Sequence, residues 1–396
     1  MTSLALLNIG RLVTNDDALG RGVLGTIDGA AVVVEDGKIA WVGELGALPQ
    51  AAGATAVDAE GRCVIPGFVD SHAHLVFAGD RAEEFATRAA GIPYRAGGIL
   101  TTVAATRSAS TEALDARTRV LRREALMAGT TTMESKSGYG LTVCDELRSC
   151  EVARRVADES TFLGAHVVPP EFEDNPDGYV GLVTGEMLAA CAPHARFVDV
   201  FCETGAFDAD HSRTVLAAGQ RAGLLAKVHA NQLGHGPGVL VAVEAGAVSA
   251  DHCTYLSDED VDALASTSTV ATLLPLTEFA TRSPYADGRR LVDAGARVAI
   301  ASNANPGSGF TSSMPLAIAL AVREMGLSSD EALYAATLGG ARALAREDVG
   351  VLRPGASADL VLLDAPDPVY LAYRPGMDVI AGVWSKGNLV RSRSLG

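Results

Sequence analysis

Five of the chain's eight histidines stand at the ends of short apolar runs. His72 and His74 lie in Asp70-Ser71-His72-Ala73-His74, and His166 follows the run at residues 161–165. His229 follows residues 225–228, and His252 sits behind Asp251 after residues 247–250. The other three, His194, His211 and His235, fall in helix or loop contexts. In an extended segment side chains alternate between faces, so His72 and His74 point the same way. Neighbouring imidazoles suit a divalent cation that keeps a position open for water. Such an ion acidifies water and polarises a carbonyl, the chemistry of metal-assisted hydrolysis. The run at 197–201 contains no lysine, which argues against a carbamylated lysine bridging two ions and favours one. The ordinary alternative is a set of structural histidines, each satisfied by a neighbour.

The side chains can share a site only if those runs end on one face. Eight short apolar runs begin at residues 64, 130, 161, 197, 225, 247, 270 and 298, with helical periodicity between most of them, as at 112–128 and 211–222. Ala-Gly pairs at 128–129, 222–223, 245–246 and 294–295 precede the next run, where glycine fits a left-handed helix cap. This alternation predicts a (β/α)₈ TIM-like barrel, whose strands share one C-terminal rim. The rival, a doubly wound sheet, would usually show a glycine-rich phosphate loop, and the sequence has none after its first strand. The last barrel helices are expected at 315–325 and 331–346, the second opened by a capping box at Ser328 and Glu331. Both ends of the chain are β-rich, with a hairpin signal at Asp36-Gly37. The division expected is residues 1–65 and 351–396 as two parts of a small β-sandwich domain, with the barrel at 66–350.

The chain has 396 residues, 48% hydrophobic and 20% charged, enough to bury a large core and inconsistent with disorder. Its net charge of −16 repels phosphates and anionic lipid, so neither nucleic acid nor a membrane surface is an expected partner. No apolar run is long enough to span a bilayer, and the N-terminus lacks the pattern of an export signal. The six cysteines are scattered singly, as reduced thiols in the cytoplasm would be.

Pro66-Gly-Phe-Val-Asp-Ser-His-Ala-His74 resembles the first-strand motif of the amidohydrolase superfamily. Seven further segments narrow the resemblance to its imidazolonepropionase family. They are Leu75-Val-Phe-Ala-Gly-Asp-Arg-Ala-Glu-Glu-Phe85, Lys136-Ser-Gly-Tyr-Gly-Leu141, Phe162-Leu-Gly-Ala-His166, Val198-Asp-Val-Phe-Cys-Glu203, Lys227-Val-His-Ala-Asn-Gln232, Ser249-Ala-Asp-His252 and Asn305-Pro-Gly-Ser308. The resemblance runs over nearly the whole chain and is strongest to actinobacterial members. It implies hydrolysis of the ring amide C–N bond of 4-imidazolone-5-propanoate to N-formimino-L-glutamate, in histidine degradation. It also implies one divalent or trivalent ion, zinc or iron, on His72, His74 and His229, with His252 assisting near the water. Arg81 would hold the propanoate, as a planar guanidinium grips a carboxylate. The ordinary alternative for Arg81 is an ion pair within Asp80-Arg81-Ala82-Glu83-Glu84. Tyr94, Tyr139 and His166 would contact substrate, Gln232 would orient the ring or the water, and Asn305, Gly307 and Ser308 would line the site. The segment from Tyr94 to Gly98 is shorter than the family usually shows. A homodimer is the assembly implied.

One position departs from the family. The eighth run ends Ala301-Ser302-Asn303-Ala304-Asn305, with Asn303 where the resemblance expects a metal-binding, proton-passing aspartate. An amide offers a weak carbonyl ligand and takes no proton. Three readings of Asn303 stay open at this level: a natural variant that uses His252 or Asp251 in its place, an active-site mutant made to trap a complex, or a degraded or repurposed relative. The rivals in function are a catalytically impaired binding protein and an amidohydrolase acting on another ring, such as a deaminase.

Overall fold

Asp36 and Gly37 both take positive φ, 49° and 76°, in the computed structural model, which describes residues 3–49, 54–90 and 98–393. Two such residues make the tight reversal that matches strand twist, and they join β2 (Thr26–Glu35) to β3 (Lys38–Glu44). Before them runs β1 (Ser3–Val13), and after them β4 (Thr55–Asp58) and β5 (Cys63–Pro66). The C-terminal strands are β14 (Leu360–Leu363), β15 (Ile380–Ser385) and β16 (Asn388–Ser392). They complete a mixed sheet in the order β16-β15-β14-β5-β1-β2-β3, with β4 beside β1. Leu6, Ile9, Leu12, Val32, Val34, Val64, Leu360, Leu362 and Trp384 pack into its core. Both chain ends therefore build one small β-sandwich domain.

The second sheet takes its strands in sequence order. They are β6 (Phe68–Asp70), β7 (Thr130–Lys136), β8 (Glu159–Ala165), β9 (Phe197–Cys202), β10 (Leu225–Ala230), β11 (Ser249–His252), β12 (Val270–Leu273) and β13 (Val298–Ile300). A parallel bridge between Ala73 and Ala304 brings the ring to near closure. This is the TIM-like barrel that the eight runs predict. The Ala-Gly pairs do what their position requires: Gly129, Gly223, Gly246 and Gly295 take φ of 93°, 86°, 59° and 85°. The capping box at Ser328 and Glu331 is present. By contact, the chain divides into Met1–Asp70 with Glu124–Thr132 and Ser313–Gly396, and Ser71–Arg123 with Met133–Ser312.

Two expectations change. The run at residues 64–69 is not one strand: β5 joins the small sheet and β6 starts the barrel. Between them Gly67 has no room for a side chain, since a Cβ there would fall 2.1 Å from Thr131 Oγ1. The helix expected at 331–346 is a helix at Ser329–Tyr334, a wide turn at Ala335–Gly339, and a short helix at Gly340–Ala343. No described helix is long and apolar enough to cross a membrane.

Candidate metal and substrate site

The strand ends converge as the barrel requires. The rings of His72, His74, His166, His229 and His252 form one cluster. Their centroids lie 4.4 Å apart for His72 and His229, 5.4 Å for His74 and His166, and 5.4 Å for His229 and His252. All five are buried. His252 can join because its φ is +81°, which ends the regular alternation of β11 and lets consecutive Asp251 and His252 both turn inward. Asn231 and Asn303, just past β10 and β13, also take positive φ. Strained non-glycine backbone at three strand ends is a feature of functional rims.

The imidazole nitrogens are arranged for an ion. His72 Nδ1 is 2.6 Å from Asp251 Oδ2, and His229 Nδ1 is 3.0 Å from Asp199 Oδ2. The His72 Nδ1–H is thereby directed to a carboxylate and its Nε2 keeps its lone pair, the usual outer support of a metal-binding histidine, while His229 meets Asp199 as a close electrostatic contact without hydrogen-bond geometry. His74 Nε2 lies 3.2 Å from His72 Nε2 and 3.3 Å from His229 Nε2. Two nitrogens bound at zinc-like distances on a tetrahedral centre stand about 3.3 Å apart. Nitrogens this close need a cation or a shared proton between them, and the spacing is that of metal ligands, so the donor set fits a metal. His72, His229 and His252 also offer nitrogens within 4.8 Å of one another, so His252 borders the same point. Burial first, with the Lys136 ammonium next, holds His72 and His229 well below the ordinary histidine range.

Beneath the histidines lies a buried ionic network. Lys136 Nζ is 2.8 Å from Asp199, 3.0 Å from Glu134 and 3.6 Å from Asp251. Lys227 Nζ is 3.0 Å from Glu134 and donates to Ser71 O at 2.6 Å. All five ionic side chains are fully buried. Burial works to lower the Lys136 pKa, but Asp199, Glu134 and Asp251 together hold it above its usual value. Burial would raise Asp251, and Lys227 and Lys136 outweigh it, so the carboxylate stays ionised. Two ammonium groups against three carboxylates leave an excess negative charge under the imidazoles, which favours a cation above them.

A cavity opens over this cluster. His74, His166, His229 and His252 line it together with Arg81, Tyr139, Gln232, Asn303, Asn305 and Ser308, and with Ile99, Phe201 and Leu233. Gly307 abuts it through Arg81: a Cβ there would come within 2.1 Å of Arg81 Nη1. Tyr94 lies outside the described residues. Every other residue expected from the sequence falls at or beside this one cavity. Arg81 faces the cavity and also pairs with Glu84. Among the described residues no carboxylate lines the cavity. Asn303 donates from Nδ2 to Thr277 Oγ1 at 2.8 Å. The Asn305 side chain ties its own loop, accepting from Gly307 N and Ser308 N, both at 2.8 Å.

Two supporting carboxylates carry no role in the sequence reading. Glu203 accepts from the backbone N–H of Gln232 and of Leu233, which fixes the turn that presents Gln232. Glu146, fully buried, accepts from Gly138 N at 3.0 Å, Gly140 N at 2.7 Å and Leu141 N at 2.8 Å. It thereby holds the loop that carries Tyr139, and Gly138 O in turn meets His166 Nδ1 at 2.9 Å. Gly138 has φ of +107°, and a Cβ there would stand 2.8 Å from His166 Nδ1. Substituting Glu146→Gln places an amide N–H against the backbone donors. We expect a stability loss of roughly 1–3 kcal/mol and a KM several times higher, read by urea unfolding and steady-state kinetics. An unchanged KM would detach this loop from substrate binding.

The amidohydrolase family model matches residues 63–391. The chain is 62% identical over 390 residues to the imidazolonepropionase of Mycolicibacterium smegmatis, covering 98% of each chain. It is 63% identical over 389 residues to that of Salinispora arenicola and 61% over 387 residues to that of Streptomyces coelicolor, again with 98% coverage of both chains. Among solved structures it is similar to an atrazine chlorohydrolase of Arthrobacter aurescens, complexed with zinc, with a TM-score of 0.73 at 16% identity, covering 99% of this chain and 97% of that one. It is also similar to an adenosine deaminase of Xanthomonas campestris with bound zinc, with a TM-score of 0.71 at 19% identity and coverage of 98% and 92%. The structural likenesses establish the fold.

Proposed function

The chain belongs to the amidohydrolase family, among its imidazolonepropionases, and from that premise we infer how its cavity opens the ring C–N bond of 4-imidazolone-5-propanoate to give N-formimino-L-glutamate. The observation that carries the reading is that the converging imidazoles and the buried Arg81 guanidinium line one cavity. Their separate chemistries, hydrolysis and carboxylate binding, match the two ends of this substrate. His72, His74 and His229 would hold one divalent ion, zinc or iron, because imidazole nitrogens suit both. When bound, that ion supplies Lewis acidity, acidifying water and polarising the ring carbonyl.

The chain's own groups do the rest. Arg81 binds the propanoate and so fixes the ring's position in the cavity. Tyr139 and His166 flank the ring, with His166 Nδ1–H donated to Gly138 O and its Nε2 turned inward. Gln232, set by Glu203, offers an amide to orient the ring or the water. Burial pushes His252 down to about 3 and His166 down to about 4, so both are neutral at physiological pH and present lone pairs. His252, whose Nδ1 has no hydrogen-bond partner among the described residues, would border the attacking water and, as a weak base, assist the passage of its proton to the departing ring nitrogen. Asn303 holds its place by hydrogen bonds and takes no proton. The same reading extends to a homodimer working in the cytoplasm on a free small molecule, supported by the family resemblance.

The test is turnover of 4-imidazolone-5-propanoate by the metal-loaded protein, followed as loss of the imidazolone and gain of N-formimino-L-glutamate. Arg81→Met should raise KM by about 30- to 150-fold, the equivalent of one or two charge-assisted hydrogen bonds. Full activity in that variant would point to a substrate without a carboxylate, as a deaminase would take. No turnover at all, with metal bound, would leave a binding protein.

A further inference from the structure

Arg81 reads the substrate carboxylate only if its guanidinium is held still, and the structure shows Glu84 among the groups that hold it. Glu84, one helical turn along Ala82–Ala89 from Arg81, accepts from Arg81 Nε at 2.6 Å through Oε2 and from Nη2 at 2.7 Å through Oε1. This bidentate grip uses the edge of a guanidinium that a carboxylate ligand would normally take. Two glycines leave room for it. A Cβ at Gly98 would fall 2.0 Å from Glu84 Oε2 and 2.4 Å from Arg81 Nη2, and a Cβ at Gly307 would fall 2.1 Å from Arg81 Nη1. The Arg81 side chain is only 4% exposed, while that of Glu84 is 26% exposed and lies outside the residues that line the cavity.

We propose that Glu84 is the positioning residue for carboxylate recognition: it locks the Nε–Nη2 edge of Arg81, so that the incoming propanoate is met from the Nη1 side, beside Gly307 and the Asn305–Ser308 turn. The inference rests on the reading of Arg81 as the carboxylate clamp. It gives the pocket an end-on rather than fork-on grip, and so a fixed distance between the carboxylate and the imidazole cluster. Removing the Glu84 charge would by itself strengthen attraction to an anion. Against that stands the lost order of a long, flexible side chain whose only value is its placement, and ordering a rotamer-rich side chain at binding is costly. With the guanidinium almost fully enclosed, placement outweighs the added charge.

The experiment compares two substrates, 4-imidazolone-5-propanoate and a 5-methyl-4-imidazolone without the carboxylate, on wild type, Glu84→Gln, Gly98→Ala and Arg81→Met. Glu84→Gln should raise KM for the propanoate about tenfold, with kcat within about threefold, and should not change kcat/KM for the methyl compound. Gly98→Ala, which crowds the same pair without touching its charges, should shift KM the same way and serves if Glu84→Gln folds poorly. Arg81→Met tests the underlying reading separately. If it does not discriminate between the two substrates, the clamp itself is misassigned. If Arg81→Met discriminates but Glu84→Gln leaves the propanoate KM unchanged or lowers it, Glu84 is a bystander or a competitor and the proposal is overturned.

Discussion

An Asn303→Asp variant should turn over 4-imidazolone-5-propanoate about 10²- to 10³-fold faster than the chain as it stands. The gain expected from a well-placed general acid–base group is of that order. The cavity has room for the change without new packing, since carboxylate and amide are nearly isosteric. Asn303 now donates to Thr277 Oγ1 at 2.8 Å and approaches Ser308 Oγ at 3.4 Å. Both partners are hydroxyls, which can rotate and donate to a carboxylate instead. The backbone also tolerates the swap: φ is +51° at this position, and aspartate and asparagine are the side chains that best accept it. The gain should appear in kcat, because proton transfer belongs to the transition state, with KM changed by less than about threefold. Measured together with metal content, the variant separates two causes. A rise in kcat at constant occupancy identifies the missing proton carrier. A rise that follows occupancy alone identifies a missing ligand. If neither moves, His252 already supplies the whole of the acid–base work.

The histidine cluster was legible because its members end apolar runs, and because the barrel rule sends all such ends to one rim. The glycine caps were equally plain, each being a residue type bound to one conformation. What the sequence hid depends on register. Glu134 and Lys136, like Lys227 and His229, are spaced two apart and so share a face of their strands. That signal was present in the letters. Which charges meet across strands was not, because it requires the pairing of Lys227 with Asp199 and of His229 with Phe201. Glu84 was visible only as one of several acids near Arg81, and its choice over Asp80 or Glu83 is a matter of helix geometry. Glu146 and Glu203 stabilise loops through backbone N–H groups, and such contacts leave no pattern in residue type. The break at Gly67 was hidden for another reason: apolar strands of two adjoining sheets read as one run when a single glycine divides them.

The buried network makes the last prediction. Lys136→Met leaves Lys227 alone against Glu134, Asp199 and Asp251. Removing one partner of a buried ionic group costs about 3–5 kcal/mol, so the variant should melt several degrees lower. The effect on the site follows from the same charges. Lys136 is among the groups that hold His72 and His229 below the ordinary histidine range, and without it Asp251 and Asp199 favour imidazolium. A protonated imidazole cannot ligate a metal. The direction is therefore set: the folded-state pKa of each histidine rises, though burial still holds it down, and proton competition with the metal moves to higher pH. Metal should be lost at a higher pH than in the wild type as pH is lowered, and recover as pH is raised, with activity recovering in parallel. Metal analysis and circular dichroism across the same pH range give the answer. If the variant stays folded and loses its ion at the same pH as the wild type, the lysine serves packing alone. If occupancy returns with pH, the charge beneath the histidines sets their protonation, and the metal site extends a full layer below its ligands.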